Sequence, residues 1–223
     1  MSDIFREVDE EVRRDKALEY WKRHGAKFAL AALAIVAAVA GWRVYDTYTF
    51  EERAARGARF ESAIAEIAAG RAEGNAGLTA LAGERDGSYP ALARFRLAGE
   101  LAASARDEAA RANAVSAFDA LAADAALPAL WRELAKLRAA FILVDHGDFA
   151  EVERRLAPMS APGQPFRHSA REGIALAAYR TGQADKALDA LQAIILDSEA
   201  PAALRQRAEL LLAVVRAGGA PKS

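Results

Sequence analysis

Fifteen consecutive residues without a charge, Phe28 to Trp42 (FALAALAIVAAVAGW), stand between Lys27 and Arg43. As a helix this run reaches only about 22 Å, short of a hydrocarbon core of roughly 30 Å. Ala26 to Tyr45 reaches about 30 Å once Lys27 snorkels its amine outward and Val44 and Tyr45 extend the apolar surface. Trp21 and Lys27 then lie at one membrane interface and Trp42, Arg43 and Tyr45 at the other, with Tyr48 beyond, where aromatic and basic side chains are favoured. The competing reading is a buried helix of a globular domain, because so many of the run's residues are alanine.

Basic residues set the expected orientation. Val12 to Lys27 contains six of them and the equally long Arg43 to Ala58 contains three, which places the N-terminus in the cytoplasm and the C-terminal part across the membrane. Ala38-Val39-Ala40 before Gly41 satisfies the small-x-small rule for a cleaved signal peptide. However, the 27 residues preceding the run are too long and too acidic for a signal-peptide leader. An uncleaved signal anchor is the expectation. Before it, Ile4, Val8 and Val12 recur every four residues, Asp9/Arg13, Glu10/Arg14 and Glu19/Arg23 are opposite charges four apart, and Ser2 or Asp3 can cap. A cytoplasmic amphipathic helix ending near Gly25 follows. It either docks on a membrane partner or headgroups or simply supplies the positive-inside signal.

The rest of the chain is expected to be all helix. It helps here that 58 of the 223 residues are alanine, the best helix former and a poor strand former. Pro90, Pro128, Pro165 and Pro201 are separated by 38, 37 and 36 residues, and proline is tolerated in a helix's first turn, so four equivalent helices open there. Gly147 and Gly182, 35 apart, read as turns inside helical hairpins. The second helices repeat a small or branched residue followed by a large apolar one: Ala114 and Phe118, Val152 and Leu156, Ala187 and Leu191. The helices expected are Pro90 to Ser104, Ala110 to Ala123, Pro128 to His146, Asp148 to Ala157, Phe166 to Thr181, Ala184 to Leu196 and a terminal Pro201 to Ala217. Phe60, Ile64 and Ile67 form an apolar stripe paired with a short helix around Leu78 and Leu81. Gly70 to Gly77 and Gly83 to Gly87 are expected loops. The division is therefore 1–25 cytoplasmic helix, 26–45 anchor, 46–217 repeat domain and 218–223 disordered tail.

A unit of this length with a glycine turn and a closing proline resembles the tetratricopeptide repeat. Gly182, Ala187 and Leu191 fit it well, and Gly147, Val152 and Leu156 fit it with one substitution. The layout as a whole, a charged N-terminal helix, one uncleaved anchor and a tetratricopeptide-like solenoid, resembles the YfgM-like family of bacterial inner-membrane proteins. That resemblance implies an ancillary subunit of the Sec translocon that contacts a membrane-anchored periplasmic chaperone. An envelope scaffold coordinating cell division or wall synthesis is the alternative.

Chemistry is not indicated. The absence of cysteine excludes disulfides and thiol catalysis, and no phosphate-binding loop, dinucleotide motif, nucleophile elbow or zinc-protease pattern occurs. His24, His146 and His168 lack metal-pair spacing, so neither a metal nor another cofactor is expected. Thirty basic residues against 31 acidic ones give no attraction to nucleic acid. Counted from each opening proline, the fourth residues are Arg94, Arg132, Ser169 and Arg205, and the sixth are Arg96, Leu134, Arg171 and Arg207. Arg94, Arg132, Arg171 and Arg205 are thus candidates for a basic ladder facing an acidic peptide or carboxylate. The opposing reading is a solvated face neutralised by Glu100, Glu133, Glu172 and Glu209.

Overall fold

The computed structural model describes residues 3–84 and 87–218, with side chains described at residue 14 and from residue 18. The described residues form helices and connections, with no strand among them. They divide into two compact units, Met1–Ala58 and Arg59–Ser223.

The first helix, α1, runs from Asp3 to Ala68 without interruption. The expected end near Gly25 does not occur. A helix-interior glycine costs only about 1 kcal/mol relative to alanine, no proline precedes Pro90, and Gly25 leaves its side-chain position to the Trp21 ring at 3.4 Å. The expected ion pairs Asp9/Arg13 and Glu10/Arg14, and capping by Ser2 or Asp3, lie outside the described side chains. Within the first unit the apolar run is exposed all round: Leu30, Leu33, Ile35, Val36 and Val39 point in different directions and are each at least 63% exposed. A helix apolar on every side needs either a protein interior or a bilayer, and no part of this unit covers it. It is the one helix among the described residues long and apolar enough to cross a membrane.

The second unit takes the last turns of α1, from Arg59, and eight further helices. These are α2 (Glu73–Ala82), α3 (Tyr89–Ser104), α4 (Glu108–Ala123), α5 (Ala129–Val144), α6 (Phe149–Leu156), α7 (Arg167–Arg180), α8 (Ala184–Ile195) and α9 (Ala202–Arg216). A 3-10 turn, Ala157–Ser160, extends α6. From α2 onward each helix packs on the next, and α7 also meets α5 and α9, so hairpins stack as a solenoid. The second-helix pairs are the centres of this packing: Ala114, Val152, Leu156, Ala187 and Leu191 are fully buried and Phe118 nearly so. Ala135, Ala139 and Ala140 of α5, and Ala170, Ala175, Ala177 and Ala178 of α7, are likewise fully buried, which is where the alanine content is used.

The loop expected over Gly70 to Gly77 is half helix, because Gly74 and Gly77 lie inside α2. A side chain at Gly74 would sit 2.6 Å from the Ala63 carbonyl, so the glycine lets α2 approach α1 closely enough for Leu78 and Leu81 to be buried with Ala63. Asp107 caps α4 by accepting from the Ala110 amide at 2.7 Å, starting that helix two residues earlier than expected. The prolines do not occupy equivalent places. Pro90 lies within the first turn of α3, Pro128 and Pro201 are the N-caps of α5 and α9, and Pro165 precedes the cap of α7, Phe166. Gly182 adopts φ +74° to end α7, whereas Gly147 does not take a positive φ. Of the expected tail, residues 219–223 lie outside the described residues.

Candidate interaction surfaces

The connections after α4 and α8 are built alike. In each, an aspartate carboxylate accepts from the backbone two residues on, Asp124 from Ala126 N and Asp197 from Glu199 N, both at 3.0 Å. Its carbonyl accepts from the residue before the proline, Leu127 N at 3.1 Å and Ala200 N at 3.0 Å. A first-helix arginine thirty residues earlier then reaches the same carboxylate, Arg94 to Asp124 at 2.5 Å and Arg167 to Asp197 at 3.0 Å. An arginine of the following helix closes the second loop from the other side, with Arg205 donating to the Ala200 carbonyl at 3.1 Å. Its counterpart Arg132 is partly buried, and the Nε of both arginines has no hydrogen-bond partner.

These contacts place the four candidate arginines. Arg94 and Arg205 hold the chain's own loops. Arg171, 13% exposed, donates to the Ser160 and Ala193 carbonyls and to Asp197, at 3.0 to 3.1 Å. Arg167, which counting from Pro165 passes over, is the repeat equivalent of Arg94. The guanidinium of Arg167 holds the Asp197 carboxyl far below the usual carboxylate range. The Arg94 guanidinium lowers Asp124 in the same direction. Burial pushes His168, beside Asp197, downward. Between hairpins, Arg155 of α6 grips Asp119 of α4 through its two terminal nitrogens at 2.8 and 3.0 Å, Lys186 of α8 reaches Glu153 of α6 at 2.6 Å, and Arg207 of α9 reaches Glu172 of α7 at 2.9 Å. Arg154 and Arg155 together lower Glu151 to about 2.

The first two sixth positions have a different fate. Arg96 and Leu134 line an open groove of about 380 Å³ with Leu92, Gly99 and Arg138. Its walls are aromatic: Phe60, Phe95, Phe118 and Trp131, with Phe95 meeting Trp131 edge-on at 5.7 Å and Phe118 at 6.2 Å. Phe118 is buried, but Phe60, Phe95 and Trp131 are only partly so. Counting from the prolines picks out only the fourth and sixth residues and so passes over Phe60, Phe95 and Trp131. Their spacing of 35 and 36 residues was the available signal.

In the first unit Trp21, Trp42 and Tyr45 are 63%, 72% and 65% exposed, and Lys27 and Arg43 are exposed as well. Trp21 stacks on Phe28 at 6.4 Å, with the rings 6° from parallel. Among the described residues no three His, Cys, Asp or Glu side chains gather to hold a metal ion.

The profile of one protein family, described as tetratricopeptide repeat-like domain, matches residues 18–212, a span that takes in the apolar helix as well as the hairpins. No curated protein and no solved structure matches the chain.

Proposed function

Because this chain belongs to the tetratricopeptide repeat-like domain family, we propose that it is a membrane-anchored interaction module serving as an accessory subunit of the Sec translocon. In this reading the N-terminus is cytoplasmic, the helical repeats are periplasmic, and they recruit a membrane-anchored chaperone to the export site. The observation that carries it is the exposed apolar helix with six basic residues on its N-terminal side, in one chain with a solenoid of interaction-module type. The overall layout, which resembles that of YfgM-like proteins, supports the choice of partner.

Affinity capture of the detergent-solubilised full chain is the test. Export-channel subunits and a membrane-anchored chaperone among the captured proteins are the expected result, while division or wall-synthesis enzymes in their place would assign the protein to an envelope scaffold. Reporter fusions after Lys27 and after Ser223 should report opposite sides of the membrane. Release of a protein beginning at Gly41 would overturn the anchor.

A further inference from the structure

Gly99 is the unexplained residue of the groove. It lies in the interior of α3, where glycine is less favourable than any residue but proline, and a side chain there would meet nothing within 4 Å. Neither a turn nor a close internal contact accounts for it. The contrast is with Gly74, and with Gly173, whose side-chain position is filled by Leu156 at 2.7 Å. A bare stretch of helix backbone on an open surface is suited to a close approach from outside the chain.

What surrounds Gly99 describes the visitor. Phe60, Phe95 and Trp131 offer partly exposed ring surface, which suits a bulky apolar side chain. The charged residues of the groove are both arginines. Arg138 is exposed and has no ion-pair partner among the described residues, and Arg96 makes only a surface pair with Glu100 at 2.6 Å, of the weak kind that yields to a better placed carboxylate. We infer that this groove binds a partner segment combining bulky apolar side chains with carboxylates, laid across the α3 backbone at Gly99 between Arg96 and Arg138. The inference rests on the reading of the protein as an interaction module and adds the chemistry of what it holds.

The test uses the full chain in detergent micelles and a fluorescein-labelled peptide of alternating Phe, Leu, Asp and Glu, beside a counterpart with Lys for every acid. Anisotropy should show the acidic peptide binding at least about tenfold more tightly than the basic one. Gly99→Leu, which adds bulk to a groove-lining position where a Cβ meets nothing within 4 Å, should weaken that binding by about tenfold or more with the melting temperature kept or raised. Arg138→Glu should reverse the preference between the peptides. Equal binding of both peptides, unchanged binding in Gly99→Leu, or concentration-dependent self-association that Gly99→Leu abolishes without any peptide binding would each overturn the inference. Capture of export-channel subunits by the Gly99→Leu protein is read separately: it would leave the export reading standing while the groove fails, and peptide binding without such capture would do the reverse.

Discussion

The loops that follow α4 and α8 begin from the same plan and end with different strengths. A shift of 73 residues carries Arg94, Asp124, Pro128 and Arg132 onto Arg167, Asp197, Pro201 and Arg205. The same shift carries the buried Ala114, Phe118, Leu121, Leu127 and Ala135 onto the buried Ala187, Leu191, Ile194, Ala200 and Ala208. Yet Asp124 has one arginine, while Asp197 has Arg167 and Arg171 on its carboxylate and Arg205 on the carbonyls around it. The equivalent of Arg171 in the earlier copy is Ala98, which is simply buried in apolar packing. One substitution on a first helix thus adds a second arginine to the carboxylate and turns a single tether into a partly buried polar junction. The intervening connection has Pro162 where an aspartate would be needed, and Arg132 lacks that partner.

The comparison can be broken most severely at the core residues common to both copies. Phe118→Ala and Leu191→Ala remove equivalent side chains, each at most 4% exposed, and should cost about 3 to 5 and 2 to 5 kcal/mol respectively in urea unfolding. Because solenoid stability is largely nearest-neighbour, hydrogen exchange should rise first in α3 to α5 for the former and in α7 to α9 for the latter. Uniform loss of protection in both would mean one shared core. Next in size is overpacking. Ala187→Leu at a fully buried position, or Gly173→Ala against Leu156 and Phe141, should each cost about 1 to 3 kcal/mol.

Acid sharpens the difference between the loops. Both aspartates have folded pKa values depressed below the ordinary 3.8, Asp197 further than Asp124, so each stabilises the fold above that value and loses its contribution as pH falls through the folded one. Glu151, lowered from 4.5 to about 2, acts in the same direction. Melting temperature should therefore decline on acidification from about pH 5 toward 2. Asp197→Asn should flatten that decline more than Asp124→Asn, and equal slopes would remove the claimed asymmetry. Smallest is Gly99→Ala, which should raise stability by about 0.5 to 1 kcal/mol by restoring helix propensity where nothing obstructs the added methyl.

Much of this architecture is legible in the sequence, for physical reasons that also mark where it stops. The alternation of small and large residues on α4, α6 and α8 is fixed by packing geometry and reads directly, as does the charge-free run. Helix ends set by a local cap fell within about two residues, the ordinary uncertainty of such boundaries. Gly25 and Gly74 misled because a glycine ends a helix only when the backbone needs its freedom. One lies against a tryptophan ring and the other under a neighbouring helix, which are tertiary circumstances. Counting from Pro165 loses the arginine register because Arg167 follows that proline by two residues, whereas Arg94, Arg132 and Arg205 each follow theirs by four. Their role in loop bracing depends on partners thirty residues away that no local pattern reveals.

Those arginines decide between a surface that waits for an acidic ligand and a scaffold that holds itself together. The direct measurement is a pair of double-mutant cycles on the full chain in detergent, Arg167→Ala with Asp197→Ala and Arg94→Ala with Asp124→Ala, read as urea midpoints. Bracing predicts that each double mutant is less destabilised than the sum of its singles, with the larger departure from additivity at Asp197. Additive singles at both pairs would mean that the arginines carry no structural role, which would contradict this account and return them to the solvent face as candidates for a ligand.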